Sequence, residues 1–240
     1  MFKNYRIILV KVIIGIFIVC VFLAYGYYSR LYRPVKSDVS TNTQVSSKQE
    51  TSFLENLLLR KYIYLHSKYT ATDPNIYRIV FTLNKVVDDY YDKLSNIKKY
   101  LTKQQFKLLL VAIMQKESGF DCYAVSNKHA IGIMQVLPSP NNLKYLNNFI
   151  TVLYTKELFD LELNIIAGAV LLDHDLQIAY NLLKSKSNPI LASRVIRKAL
   201  NIYSNDSSGK YTLEVLDIVA TLRGYLLLDD IYKVVVISEK

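Results

Sequence analysis

Apolar and polar positions divide the chain into stretches of distinct character. From Ile7 to Tyr28 every residue is apolar or small except Lys11, and Val12–Tyr28 runs without a charge. That is about the length needed to cross a hydrocarbon core of roughly 30 Å, so the segment is a membrane span or a signal peptide. Ala24-Tyr25-Gly26 matches a cleavage site poorly and Val19 does not suit lipoprotein processing before Cys20, which favours an uncleaved anchor. Residues 34–52 are rich in Ser, Thr and Gln and show no apolar period, as expected of a flexible tether.

From Phe53 onward the spacing turns helical. Leu54, Leu57 and Leu58 open one apolar stripe, and a second amphipathic stretch runs from about Pro74 to Leu94. Thr102-Lys-Gln-Gln105 has the form of a capping box ahead of a helix over Phe106–Lys116, which Gly119 stops. Residues 119–144, with Pro138 and Pro140, read as irregular. A further helix spans about Glu162–Lys184 on the apolar positions Ile165, Ile166, Ala169, Val170 and Leu172, although Asp173-His174-Asp175 interrupts it with what reads as a solvated face. Leu191–Leu200 and Thr212–Leu228 look helical again, and Val234–Ile237 suits a short terminal strand.

Charge sharpens this division. The net charge is +10, but residues 1–36 hold Lys3, Arg6, Lys11, Arg30, Arg33 and Lys36 with no acidic side chain. Residues 37–100 and 101–240 are left with +2 each, which speaks against a nucleic-acid partner. Basic residues flank the apolar segment on both sides, so charge does not orient it. The two cysteines, Cys20 and Cys122, build no disulfide framework, and neither a Cys-x-x-Cys nor a His-x-x-x-His pair suggests a metal site. With 51% hydrophobic residues and only 7 Gly and 5 Pro, the 240-residue chain has material for one full core.

Phe106, Leu110, Ile113 and Glu117 fall at spacings of four, three and four, which sets one carboxyl group on an apolar helix face. Burial there raises its pKa, and a carboxylic acid that keeps its proton near neutral pH is what general-acid cleavage of a glycosidic bond requires. The alternative is that Glu117 leans into solvent or pairs with Lys116 or Lys128.

Further residues extend this stretch. Glu117-Ser118-Gly119-Phe120, Ala124-Val125-Ser126, Ala130-Ile131-Gly132-Ile133-Met134-Gln135 and Pro138 form the pattern E-S-x-F, A-x-S, A-x-G-I-M-Q, P. The pattern resembles the lytic transglycosylases of the soluble-murein-transglycosylase type, relatives of goose-type lysozyme that cleave peptidoglycan glycan strands. Leu158–Gly168 is similar to the family's F-D-P-x-x-N-I-x-x-G segment and Ala199–Tyr203 to its A-L-A-A-Y-N segment, so the likeness covers about residues 100–225. It departs at His129 and Ser204, where the family has Gly and Asn, at Leu161 in place of Pro, and in the reduced Asn205–Gly209 stretch; the length from Asn164 to Tyr203 implies an insertion around residues 183–193.

The resemblance implies a mainly α, lysozyme-like fold of the α+β superfamily, with the domain occupying residues 53–240 behind a stub (1–6), the anchor (7–28) and a linker (29–52). It also implies that Glu117 is a single acid/base cleaving the bond between N-acetylmuramic acid and N-acetylglucosamine to leave a 1,6-anhydro sugar, with no metal or organic cofactor. Ser126, Met134, Gln135 and Tyr203 correspond to substrate-binding positions, Tyr203 through a hydroxyl that reaches the acid. Read without the resemblance, Ser126 and Gln135 are loop groups satisfying backbone and Met134 is core. A second carboxylate, which a hydrolase would need, has Asp121 and Asp160 as candidates. The implied substrate sets the orientation: amino terminus in the cytoplasm, domain in the periplasm of a bacterial inner membrane, acting in wall turnover or for a secretion complex. The rivals are a glycan-binding module that kept the groove without turnover, a hydrolase on the same fold, and a Cys122 peptidase using His129 or His174.

Overall fold

The computed structural model describes residues 43–152, 154–184 and 191–237. The chain divides into two compact units, residues 1–48 and 49–240, and the site described below lies in the second. The apolar segment 7–28 and the linker residues 29–42 lie outside the described residues. Among the described residues no helix is long and apolar enough to cross a membrane.

The structure is mainly helical: α1 (Thr43–Leu65), α2 (Pro74–Tyr90), α3 (Ser95–Tyr100), α4 (Lys103–Ser118), α5 (Pro140–Leu146), a 3-10 turn (Thr155–Phe159), α6 (Leu161–Lys184), α7 (Ala192–Tyr203) and α8 (Lys210–Ile237). Among the described residues the β component reduces to two isolated bridges, Val125 with Ile131 and Ile131 with Val136. Three expectations change. Residues 43–52 of the expected tether are the first turns of α1, since no Gly or Pro between Pro34 and Pro74 interrupts a helix there. Leu59, Tyr62 and Ile63 form its buried face, whereas Leu57 is exposed. The expected strand Val234–Ile237 is the end of α8: a β-branched run forms a strand only beside a partner, and the described residues hold none.

Helix α4 is the centre of the unit. Thr102 accepts from the Gln105 N–H while the Gln105 side chain accepts from the Thr102 N–H, and at the far end Gly119 takes the left-handed conformation (φ 59°, ψ 35°) that closes the helix. Leu108 to Met114 are all buried, so the middle of α4 is covered on every side while its first and last turns reach solvent. It packs against α2 and α8. Helix α6 is the second spine, buried from Asn164 through Asp173 and packed against α2, α3, α5 and α7.

The expected solvated face on α6 is corrected at its first residue. Asp173 is 2% exposed and accepts from the N–H groups of Asn96 (2.8 Å) and Ile97 (2.7 Å) and from Asn96 Nδ2 (3.0 Å). Leu94 at the N-cap of α3 has no side-chain acceptor to offer, so Asp173 caps α3 from a distant part of the chain. His174 stacks on Tyr145 of α5 with ring centroids 3.9 Å apart. Asp173→Ala leaves three buried donors without their acceptor and is expected to cost roughly 2 kcal/mol, read as a lower urea midpoint at unchanged slope.

Candidate active site

The site is built where the last turn of α4 meets the first turn of α8. Glu117, four residues after Ile113 on the buried stripe, is partly buried, and its Oε1 accepts a 2.6 Å hydrogen bond from the Tyr211 hydroxyl. Burial raises the Glu117 pKa; the Tyr211 hydrogen bond and then the Lys116 charge pull it partly back. Lys116 itself pairs with Glu214 of α8 instead of with Glu117. Tyr211 is buried, and burial followed by the charge of Glu117 raises its phenol far above the ordinary value, so it stays a donor. Among the described residues Oε2 of Glu117 has no protein partner, which leaves one oxygen oriented by Tyr211 and the other open.

Tyr211 is held in turn by the loop that precedes it. Asp206 accepts from the Ser208 hydroxyl (2.6 Å), the Ser208 N–H (2.8 Å) and the Tyr211 N–H (2.8 Å), which caps α8 at its start. Those hydrogen bonds, that of the Ser208 hydroxyl foremost, hold its carboxyl below the usual range. Thr212, next along, donates to Asn201 Oδ1 and so ties α8 to α7. The short Asn205–Gly209 stretch therefore serves to aim Tyr211. Nothing in the sequence distinguishes Tyr211 among 20 tyrosines; the capping pattern Asp206-x-Ser208 is the only local signal.

The loop after α4 forms the other wall. Ser118 Oγ lies 2.9 Å from the Ile133 carbonyl and joins the end of α4 to this loop. Asn164 of α6, 1% exposed, donates through Nδ2 to the carbonyls of Ile131 (2.9 Å) and Leu158 (2.7 Å) and accepts from the Met134 N–H (2.8 Å). Gly132 makes room for it: at φ 77° its missing Cβ would stand 2.4 Å from Asn164 Nδ2. Gly168, one turn along α6, does the same for the Met134 side chain. Phe120, His129 and Gln135 all take positive φ, a concentration of strained backbone around the site. Tyr123, Val125 and Leu137 stand exposed on this loop and give it an apolar surface.

The expected binding positions are placed as follows. Ser126 does not reach Glu117; its Oγ accepts from the N–H groups of Ala130 (3.0 Å) and Lys128 (3.3 Å) and holds the turn in which His129 replaces glycine. Gln135 donates to the carbonyls of Gly132 (2.9 Å) and Ala124 (3.2 Å). Met134 is fully buried, so its side chain lies in the core and not on the groove surface; its carbonyl accepts from the Tyr203 hydroxyl at 2.9 Å. The expected contact of Tyr203 with the acid is corrected accordingly: Tyr203 stands near enough for Glu117 to raise its pKa, after burial, but the hydroxyl that reaches the carboxyl is that of Tyr211.

The remaining candidates are occupied elsewhere. Asp121 pairs with Lys68 (2.6 Å) and accepts from the Tyr123 N–H; burial raises its carboxyl, and these contacts outweigh that to hold it low. Asp160 accepts from the Leu163 N–H at the start of α6. Cys122 is buried against the Tyr69 hydroxyl at 3.8 Å, and burial pushes its thiol up, which is not the environment of a thiolate nucleophile.

A partly buried carboxyl at a helix end, held at one oxygen by a tyrosine beside a loop pinned from behind, is an arrangement suited to general-acid chemistry. Residues 95–199 match the family model of the transglycosylase SLT domain. The matched span holds Glu117, the pinned loop and α6, whereas Tyr203 and Tyr211 lie beyond it. No curated protein and no solved structure matches the chain.

The Tyr211→Phe variant isolates the steering contact. Loss of a hydrogen bond that favours ionised Glu117 raises the Glu117 pKa, so the alkaline limb of the kcat/KM profile moves to higher pH. The maximal rate is expected to fall about fivefold to tenfold as the carboxyl loses its orientation. A profile superposable on the wild type would mean that the contact has no part in the reaction.

Proposed function

We propose that the protein is a membrane-anchored lytic transglycosylase in which Glu117 is the single acid/base. Glu117 passes the proton on Oε2 to the glycosidic oxygen as the bond from C1 of N-acetylmuramic acid breaks. The resulting carboxylate then takes the proton of the C6 hydroxyl as that oxygen closes onto C1. The ring formed is a 1,6-anhydro sugar; no water enters, and the acid regains its proton for the next cycle. The observation that carries the reading is the state of Glu117: partly buried, raised in pKa, held at Oε1 by Tyr211 and open at Oε2. The engagement of Asp121 with Lys68 and of Asp160 with the α6 start supports a reaction that uses neither as a second carboxylate.

The apolar segment 7–28 is the anchor in this reading, with the domain on the periplasmic face of a bacterial inner membrane and wall strands as its substrate. Tethering confines cutting to strands near that membrane, which suits local opening of the wall for turnover or for a secretion complex. Digestion of purified sacculi with the full-length chain, followed by mass spectrometry of the released fragments, tests the whole reading. Anhydro-muramoyl ends are expected. Reducing ends would make the protein a hydrolase, and co-sedimentation with sacculi without release would make it a binding module.

A further inference from the structure

Helix α6 supplies the back of the site through Asn164 and Gly168. Steps of 100° per residue place Leu171 and Asp175 within about 60° of those two, so all four share one face, and Asp175 lies about 10 Å along the axis beyond Gly168. Two tyrosines from neighbouring helices mark where that face leads. Tyr203 of α7 feels the charges of both Glu117 and Asp175, and Tyr145 of α5 feels those of Asp173 and Asp175. Asp175 and Glu117 thus both lie within electrostatic reach of one tyrosine, Tyr203.

Its contacts set it apart from the other carboxyls of this region. Asp173 has three donors, Asp121 a lysine and an N–H, and Asp160 an N–H. Asp175 is partly buried, and among the described residues no donor reaches it. Of the helices packed on α6, α7 brings Tyr203 and α5 brings Tyr145 to face it, with Asp173 and His174 beside it on α6 itself. No cation offsets the cost of its burial, and burial alone pushes its carboxyl up to about 7. A carboxyl in that position weakens the fold whenever it is ionised and serves no capping or pairing role. An acceptor kept unfilled beside an active site is suited to donors that arrive with a ligand.

We propose that Asp175 is a subsite residue for the glycan strand, accepting hydrogen bonds from a hydroxyl or acetamido N–H of a sugar adjoining the bond that Glu117 cuts. The inference rests on the glycan-cleaving reading above. The ionised carboxyl is the accepting form, so substrate affinity rises with pH as Asp175 loses its proton, while the need for protonated Glu117 limits the rate at higher pH.

The test is steady-state cleavage of glycan strands freed of their peptides, with the full-length chain and its Asp175→Asn and Asp175→Leu variants across a range of pH. Wild type is expected to show an acid limb in kcat/KM near neutrality. Both substitutions should raise KM about tenfold with kcat nearly unchanged and remove that limb. Binding in a Glu117→Gln background, read by co-sedimentation with the same strands, should weaken in parallel and does not depend on turnover. An unchanged KM, acid limb and binding in the variants, beside an active wild type, overturns the role of Asp175 and leaves the cleavage reading intact. A wild type that neither cuts nor binds the strands overturns both.

Discussion

Glu117→Gln is expected to lower the release of wall fragments at least about a thousandfold while leaving the fold intact. Glutamine matches the shape of the side chain and keeps at Oε1 an acceptor for the Tyr211 hydroxyl, so the packing between α4 and α8 survives. What disappears is the transferable proton, and with it both halves of the proposed cycle. Of the other candidate carboxyls, Asp121 and Asp160 are tied to Lys68 and to the start of α6. Initial rates on sacculi, beside a circular-dichroism melt to show that the variant is folded, give the comparison. A residual rate above roughly a tenth of the wild type would remove Glu117 from the chemistry.

The second large effect concerns the support and not the acid. Asn164→Ala removes one acceptor and two donated hydrogen bonds at a site shut off from water, leaving the Met134 N–H and the carbonyls of Ile131 and Leu158 unsatisfied. The expected loss is about 3 kcal/mol, with activity falling as the Ile131–Gln135 turn loosens. Gly132→Ala reaches the same end from the other side: its Cβ would press on Asn164 Cγ at 2.6 Å and Oδ1 at 2.8 Å, at a backbone angle unfavourable to any side chain. Because each change damages the same contact, the double variant should be clearly less destabilised than the sum of the two, as urea unfolding of all four proteins would show. Strict additivity would mean that Asn164 and Gly132 do not act through one another.

What the sequence made legible follows the distance over which each cause acts. The limits of α4 are local, set by Thr102 with Gln105 at one end and Gly119 at the other, and the structure places them there. The apolar face ending at Glu117 follows from spacing within a single helix. Asp173 and Tyr211 could not be read the same way, because their partners are 77 and 94 residues distant in the chain. A cap supplied in trans and a hydroxyl supplied by another helix leave no periodic trace. The motif residues beyond the acid make the contacts that the residues alone suggest, and not those the resemblance implies: Ser126 and Gln135 turn to the backbone and Met134 into the core. Gly132 with Asn164, a missing side chain and the amide that fills its space, is another pair that only the structure joins.

The order of synthesis gives the Tyr211 contact a further meaning. A chain that has emerged as far as α7 already holds Glu117, its capped helix and Asn164, yet has no hydroxyl to orient the acid. Full orientation of the carboxyl arrives only when α8 docks, so a chain without that helix carries a less well aimed acid. In the proposed reaction, the docking of α8 is thereby also the step that brings the acid to its full rate.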